Sequence, residues 1–191
     1  MNHIENYLEF IKTIEGIKSV TRTAWTKTGR HESTAEHSWR LSVFAAVLAD
    51  EFPELDMQKV ITLCLIHDIG ELYTGDISAA EVTDSSAKTS RECEDVHKIF
   101  GLLPEKTCNY FISLWEEYAL AATPEARFVK ALDKAETIIQ HNQGQNPPDF
   151  DYEFNLTYGK QYFENDSRLE VLRQILDKDT QKTAGNSNPK T

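Results

Sequence analysis

"VITLCLIHDIGELYTGD", residues 60–76, opens with an apolar run, Val60–Ile66, that stops at His67 and Asp68, with Glu71, Thr74 and Asp76 close behind. The apolar residues recur almost all round a helical wheel, which predicts a central helix over about 56–72. Burying charge beside such a run is costly unless something offsets it. The turn carrying His67 and Asp68 is drawn inward with that cost attached.

Outward from this stretch, helical periodicity dominates and strand alternation is scarce. A helix over about 2–16 places Ile4, Leu8, Ile11 and Ile14 on one stripe, and residues 18–32 read as polar and irregular. "STAEHSWRLSVFAAVLADEF" opens a second helix, because Ser33 and Glu36 have capping-box spacing. Residues 73–85 read as a loop, followed by helices at about 86–101 and 104–121. "ATPEARFVKALDKAETIIQHNQ" begins another helix, with Thr123 as N-cap and Pro124 at the first helical position. "GQNPPDFDYEF" reads as a loop and about 160–178 as the last helix. The expectation is an all-α fold in a single helical domain over residues 1–180, with a disordered tail over 181–191.

The 191 residues favour one domain of ordinary size, and 40% hydrophobic with 27% charged residues is the balance of a globular protein. The three cysteines, Cys64, Cys93 and Cys108, form no CxxC pair and are odd in number, so they read as reduced thiols of a cytoplasmic protein. The first residues lack the basic and apolar regions of a signal peptide, and no apolar run approaches the ~20 residues of a membrane span. A formal net charge of -11 disfavours a nucleic-acid polymer as partner. A small phosphate ester, needing only a few local cations, remains open.

His37 shares a helical face with Leu41, Phe44 and Leu48. A hydrogen-bonded core histidine and a metal ligand are its two readings. His67 and Asp68 are ~100° apart on a helix, yet both can reach one ion beside its last turn. Asp133 shares its face with Val129 and Leu132 on one side and Glu136 on the other, and alone it fits an ion pair with an arginine such as Arg127. Together, two histidines and two aspartates on inward-pointing faces of three helices offer mixed nitrogen and oxygen ligation to a divalent ion. Trp39 reads as a packing residue, Arg40 as a carboxylate partner, and Trp115 and Tyr118 as core or dimer contacts.

"AEHSWR", "HDIGELYTGD" and "ALDKAE" together resemble the H…HD…D pattern of the HD-domain metal-dependent phosphohydrolases. "TRTAW", "ESTAEHSWR", "HDIGELYTGDI" and "LWEEY" resemble the 5′-deoxynucleotidase branch of that superfamily, over about residues 18–140. The resemblance implies an HD-type helical bundle, usually a homodimer, that removes the 5′-phosphate of nucleoside monophosphates. It implies His37, His67, Asp68 and Asp133 as ligands of one divalent metal ion. Manganese, cobalt, iron, zinc and magnesium all suit that set.

Glu71 lies one turn beyond His67 and is placed to orient or deprotonate an attacking water. Asp76, after Gly75, can hold that water from a second direction, protonate the leaving oxygen, or simply serve the turn. Arg22 matches phosphate with paired hydrogen bonds and Trp25 offers a flat face to sugar or base; a surface arginine and a core tryptophan are the alternatives. Thr74 can reach a phosphate oxygen or cap its own turn. Lys88 and Arg91, at the start of the next helix, can close on the phosphate. The same ligand set would serve a hydrolase of a cyclic nucleotide, a triphosphate or a guanosine alarmone, or a non-catalytic nucleotide sensor with a structural metal. Glu71 and Asp76 speak against the sensor, since a structural site has no use for them.

Overall fold

Helix α2 (Thr34–Val47) starts where the capping box requires. Ser33 Oγ accepts from the Glu36 N–H, and the Glu36 carboxylate accepts from the Ser33 N–H at 2.9 Å. The computed structural model describes residues 3–76 and 85–187, with side chains for all of these but 85–89 and 187. The other helices are α1 (His3–Thr13), α3 (Met57–Ile66), α4 (Glu71–Thr74), α5 (Ser85–Phe100), α6 (Glu105–Ala119), α7 (Pro124–Gln143), α8 (Glu153–Thr157) and α9 (Ser167–Ser187).

Helices α2, α3 and α7 pack against one another, α6 and α9 lean on α7, and α5 closes over α4 and α6. Leu41, Val60, Leu63, Val129, Leu132 and Ile138 are fully buried where the three central helices meet. Helix α7 begins as its sequence demands, with Thr123 accepting from the Ala126 N–H and Pro124 in the first turn. It buries twelve of its twenty residues and so forms the axis of the fold. No helix among the described residues is long and apolar enough to cross a membrane.

The all-α expectation holds for the layers, and five local expectations change. Residues 18–32 are not irregular throughout: β1 (Thr21–Trp25) and β2 (His31–Ser33) form an antiparallel hairpin whose turn uses Gly29 at a φ of 78°. The first helix stops at Thr13, passes into a 3₁₀ turn over Ile14–Ser19, and leaves Leu8 and Ile11 exposed. Part of the 144–154 stretch read as loop belongs to α8. The last helix runs to Ser187, through seven residues expected as tail, held by the buried Thr180 bonding Asn142 of α7; residues 188–191 lie outside the described set.

The fifth change shapes the site. The single helix expected over 56–72 is two, α3 and α4, separated by a tight turn at His67–Gly70. There Ile69, Glu71 and Leu72 donate to the carbonyls three residues back, of Ile66, Asp68 and Ile69. Neighbouring α5 drives the packing: a Cβ on Gly70 would lie 2.9 Å from the Glu92 carbonyl oxygen and 3.2 Å from Val96 Cγ2. Gly70→Ala should therefore push α5 away and lower Tm by roughly 3–10 °C in thermal denaturation. An unchanged Tm would show that α5 yields without cost.

Candidate metal centre

Each predicted ligand is positioned by a separate element. His37 sits one turn into α2, fully buried on the face of Leu41 and Ala45. His67 caps α3, Asp68 follows it in the turn, and Asp133 lies mid-way along α7. His67 Nε2 is 3.0 Å from Asp68 Oδ2, and His37 Nε2 is 3.3 Å from Asp133 Oδ1 and 3.9 Å from Asp68 Oδ2. One donor atom each from His37, His67 and Asp133 fits within 4.8 Å of the others. Donors around a first-row ion with bonds of ~2.1 Å stand about 3 Å apart, so this spacing fits a shared cation.

The tautomers fit as well. His67 Nδ1 donates to the Cys64 carbonyl at 2.9 Å, and His37 Nδ1 meets the Glu136 carboxylate. Both rings thus turn Nε2 to the centre, and neither Nε2 has a hydrogen-bond partner. A buried ring nitrogen left without a partner costs about 1–3 kcal/mol, and a metal bond removes that penalty. Glu136 is held in turn by Arg40 Nε at 2.5 Å, which bears out the carboxylate partner expected for Arg40. A carboxylate behind a ligating histidine fixes its ring and raises its basicity.

The electrostatics call for positive charge. Burial and Arg22 push the His37 pKa down, yet Glu136 and Asp133 outweigh them and raise it to about 9. Burial pushes Asp133 up, but Lys134 and the two histidines hold it well below the usual carboxylate range. Asp68 is likewise held low against burial, chiefly by His67. Burial, reinforced by Glu136, lifts Glu32 to about 7. The donor set suits one divalent ion.

A cavity of about 230 Å³ opens beside these donors. Glu71, 4% exposed, lines it and accepts from Thr34 Oγ1 at 3.2 Å; Asp76, half-buried, lines it as well. Arg22 also lines it but is engaged inward: Nη1 donates to Asp68 at 3.3 Å, Nη2 to Thr137 Oγ1 at 2.9 Å, and Nε lies 3.5 Å from Glu32. Trp25 is not among the described lining residues; it packs on His31, ring centroids 4.1 Å apart. Thr74 is exposed and its hydroxyl donates to the Gly70 carbonyl, the turn-capping reading. Arg91 is exposed and away from the lining, whereas Glu92 beside it reaches the cavity; the Lys88 side chain lies outside the described residues.

Other residues contribute that the sequence reading passed over. Lys130 and Lys134 line the cavity from α7, one turn apart. Lys134 reaches Asp133 at 2.9 Å, and Lys130 stands 4.0 Å over the Tyr118 ring. Their signal was the three- and four-residue recurrence of Lys130, Asp133, Lys134 and Thr137 on one helical face. Trp115 and Tyr118 brace the site: Trp115 Nε1 donates to the His67 carbonyl, and Tyr118 donates to Asp133 at 2.8 Å. Trp39, expected to pack, is 64% exposed. Asp133 is not paired with Arg127, which bonds the Ala121 and Ala122 carbonyls instead.

A family model for the HD domain matches residues 14–172. The 5′-deoxynucleotidase HDDC2 of Homo sapiens is 36% identical over 138 residues, covering 71% of this chain and 67% of that protein. That of Danio rerio is 34% identical over 142 residues, 73% of this chain and 70% of that protein. Among solved structures, a predicted metal-dependent phosphohydrolase from Magnetospirillum magnetotacticum MS-1 superposes with a TM-score of 0.83 at 25% identity, covering 96% of this chain and 98% of that one.

Glu136→Gln removes the charge behind His37 while keeping its shape. We expect manganese affinity, measured by titration calorimetry, to fall about 10–100-fold. Unaltered affinity would show that His37 needs no such support.

Proposed function

The chain belongs to the HD-domain family of metal-dependent phosphohydrolases, and on that premise we propose that it hydrolyses the 5′-phosphate of deoxynucleoside monophosphates, releasing nucleoside and phosphate. The observation that carries the reading is the pair of partnerless Nε2 atoms converging with Asp68 and Asp133 beside a buried glutamate in one cavity. His37, His67, Asp68 and Asp133 would hold the ion. When bound, a divalent ion polarises a phosphoryl oxygen and acidifies water.

The chain's own groups do the rest. Lys130 and Lys134, on the cavity wall, bring positive charge to the phosphate. Arg22 holds Asp68 in place. Thr34 fixes one oxygen of Glu71 at the cavity edge, where a general base takes the proton of an attacking water. Asp76 holds that water from a second side. Tyr118 and Lys134 keep Asp133 oriented while the phosphate is bound.

We further propose a cytoplasmic homodimer. Leu8 and Ile11 on α1, and Trp39, Val43 and Val47 spaced four apart on α2, give exposed apolar faces for a second copy, and the three cysteines are unpaired. A sedimentation mass of one chain would refute the dimer.

The test is a panel of deoxynucleoside monophosphates with manganese, cobalt and zinc. Glu71→Gln should lower kcat by about 10²–10⁴-fold while the protein still binds the metal. Absence of nucleotide turnover by the wild type under every metal would overturn the proposal.

A further inference from the structure

The cavity has an end that neither the ion nor the attacking water uses. Helix α7 turns Lys130, Asp133, Lys134, Thr137 and His141 toward the cavity in sequence. Asp133 and His141 are eight residues apart, about 12 Å of helix. That matches the reach from a 5′-phosphate to the outer edge of its base. Phe154 and Tyr158, their rings stacked 4.9 Å apart, line the cavity with His141 and offer flat apolar surface.

His141 is presented there in one tautomer. Asn142 Nδ2 donates to Thr180 Oγ1 of α9 at 2.9 Å, which leaves Asn142 Oδ1 to accept from Asn155 Nδ2 at 3.4 Å. Asn155 therefore turns Oδ1 to His141 Nδ1, 2.8 Å away. An amide oxygen only accepts, so Nδ1 carries the proton and Nε2 of the neutral ring keeps a lone pair. Burial, with Arg22 nearby, moves the His141 pKa down and keeps the ring neutral. Phe150 packs edge-on against it at 4.9 Å and stiffens the orientation. Nε2 has no hydrogen-bond partner among the described residues.

We propose that His141 is a specificity-determining residue whose Nε2 accepts a hydrogen bond from an N–H on the substrate's base. The inference rests on the nucleotidase reading above. A relay from Thr180 of α9 through the amides of Asn142 and Asn155 would then set which nucleosides fit, apart from the groups that cleave the phosphate.

The experiment compares 2′-deoxyadenosine 5′-monophosphate, the same nucleotide lacking the 6-amino group, and phenyl phosphate, each with manganese. The wild type should favour the amino-bearing nucleotide about fivefold to tenfold in kcat/KM. His141→Ala should raise its KM by the same factor at unchanged kcat, erase the preference, and leave phenyl phosphate turnover untouched. His141→Gln, which retains an acceptor, should keep part of the preference. Equal wild-type rates on the two nucleotides would overturn the proposal without any variant, and so would a loss of phenyl phosphate turnover in a folded His141→Ala. Nucleotide turnover without preference rejects the role of His141 alone. Phenyl phosphate turnover with no nucleotide turnover rejects the nucleotidase reading and this proposal together.

Discussion

Acidic side chains buried among apolar helices are the constraint that the rest of the molecule answers. Glu32, Asp133 and Glu136 are each under 5% exposed, and Asp68 is half-buried, its side chain 19% exposed. Charged groups at that depth are tolerated only when paired. Arg22 reaches in from the hairpin, Arg40 from α2 and Lys134 from α7 to meet them. Four acids face three bases, and the Nε2 atoms of two imidazoles turn into the remaining gap. The same imbalance that would destabilise an empty core creates a strong preference for a small doubly charged cation.

Around that point the fold divides its labour. The long axis α7 supplies Asp133 and Glu136 from consecutive turns, so one rigid element sets both a donor and the group behind another donor. The turn after α3 breaks the helix where His67 and Asp68 must face the same way, which adjacent residues of a regular helix do not do. Short α4 then lifts Glu71 to the cavity wall, where it is buried against Thr34.

Much of this was legible in the chain. Ser33 with Glu36, and Thr123 with Pro124, carry local chemistry that fixes helix starts whatever the surroundings. The ordered histidines and aspartates could be placed on inward faces because apolar neighbours at helical spacing mark those faces. What escaped was set by tertiary approach. The break at His67–Gly70 has only Gly70 as a local mark, and the need for a glycine there shows only once Glu92 and Val96 of α5 lie against it. The short hairpin of threonines around Trp25 has too few alternating residues to declare itself. Arg22 looked available for phosphate because its partners, Asp68, Thr137 and Glu32, are remote in sequence or on another strand. The lysines of α7 carry no local mark, because a lysine on a helix fits a solvated face as well as a cavity wall.

The two histidines are oriented by different kinds of acceptor. His37 leans on a side chain, Glu136, whereas His67 leans on the main-chain oxygen of Cys64. Every residue type possesses that oxygen, so drift at position 64 leaves the His67 ring turned as it is, provided the helix persists. Position 136 has no such insurance. The demand for a particular side chain behind the two rings is therefore lopsided, absent behind His67 and strict behind His37.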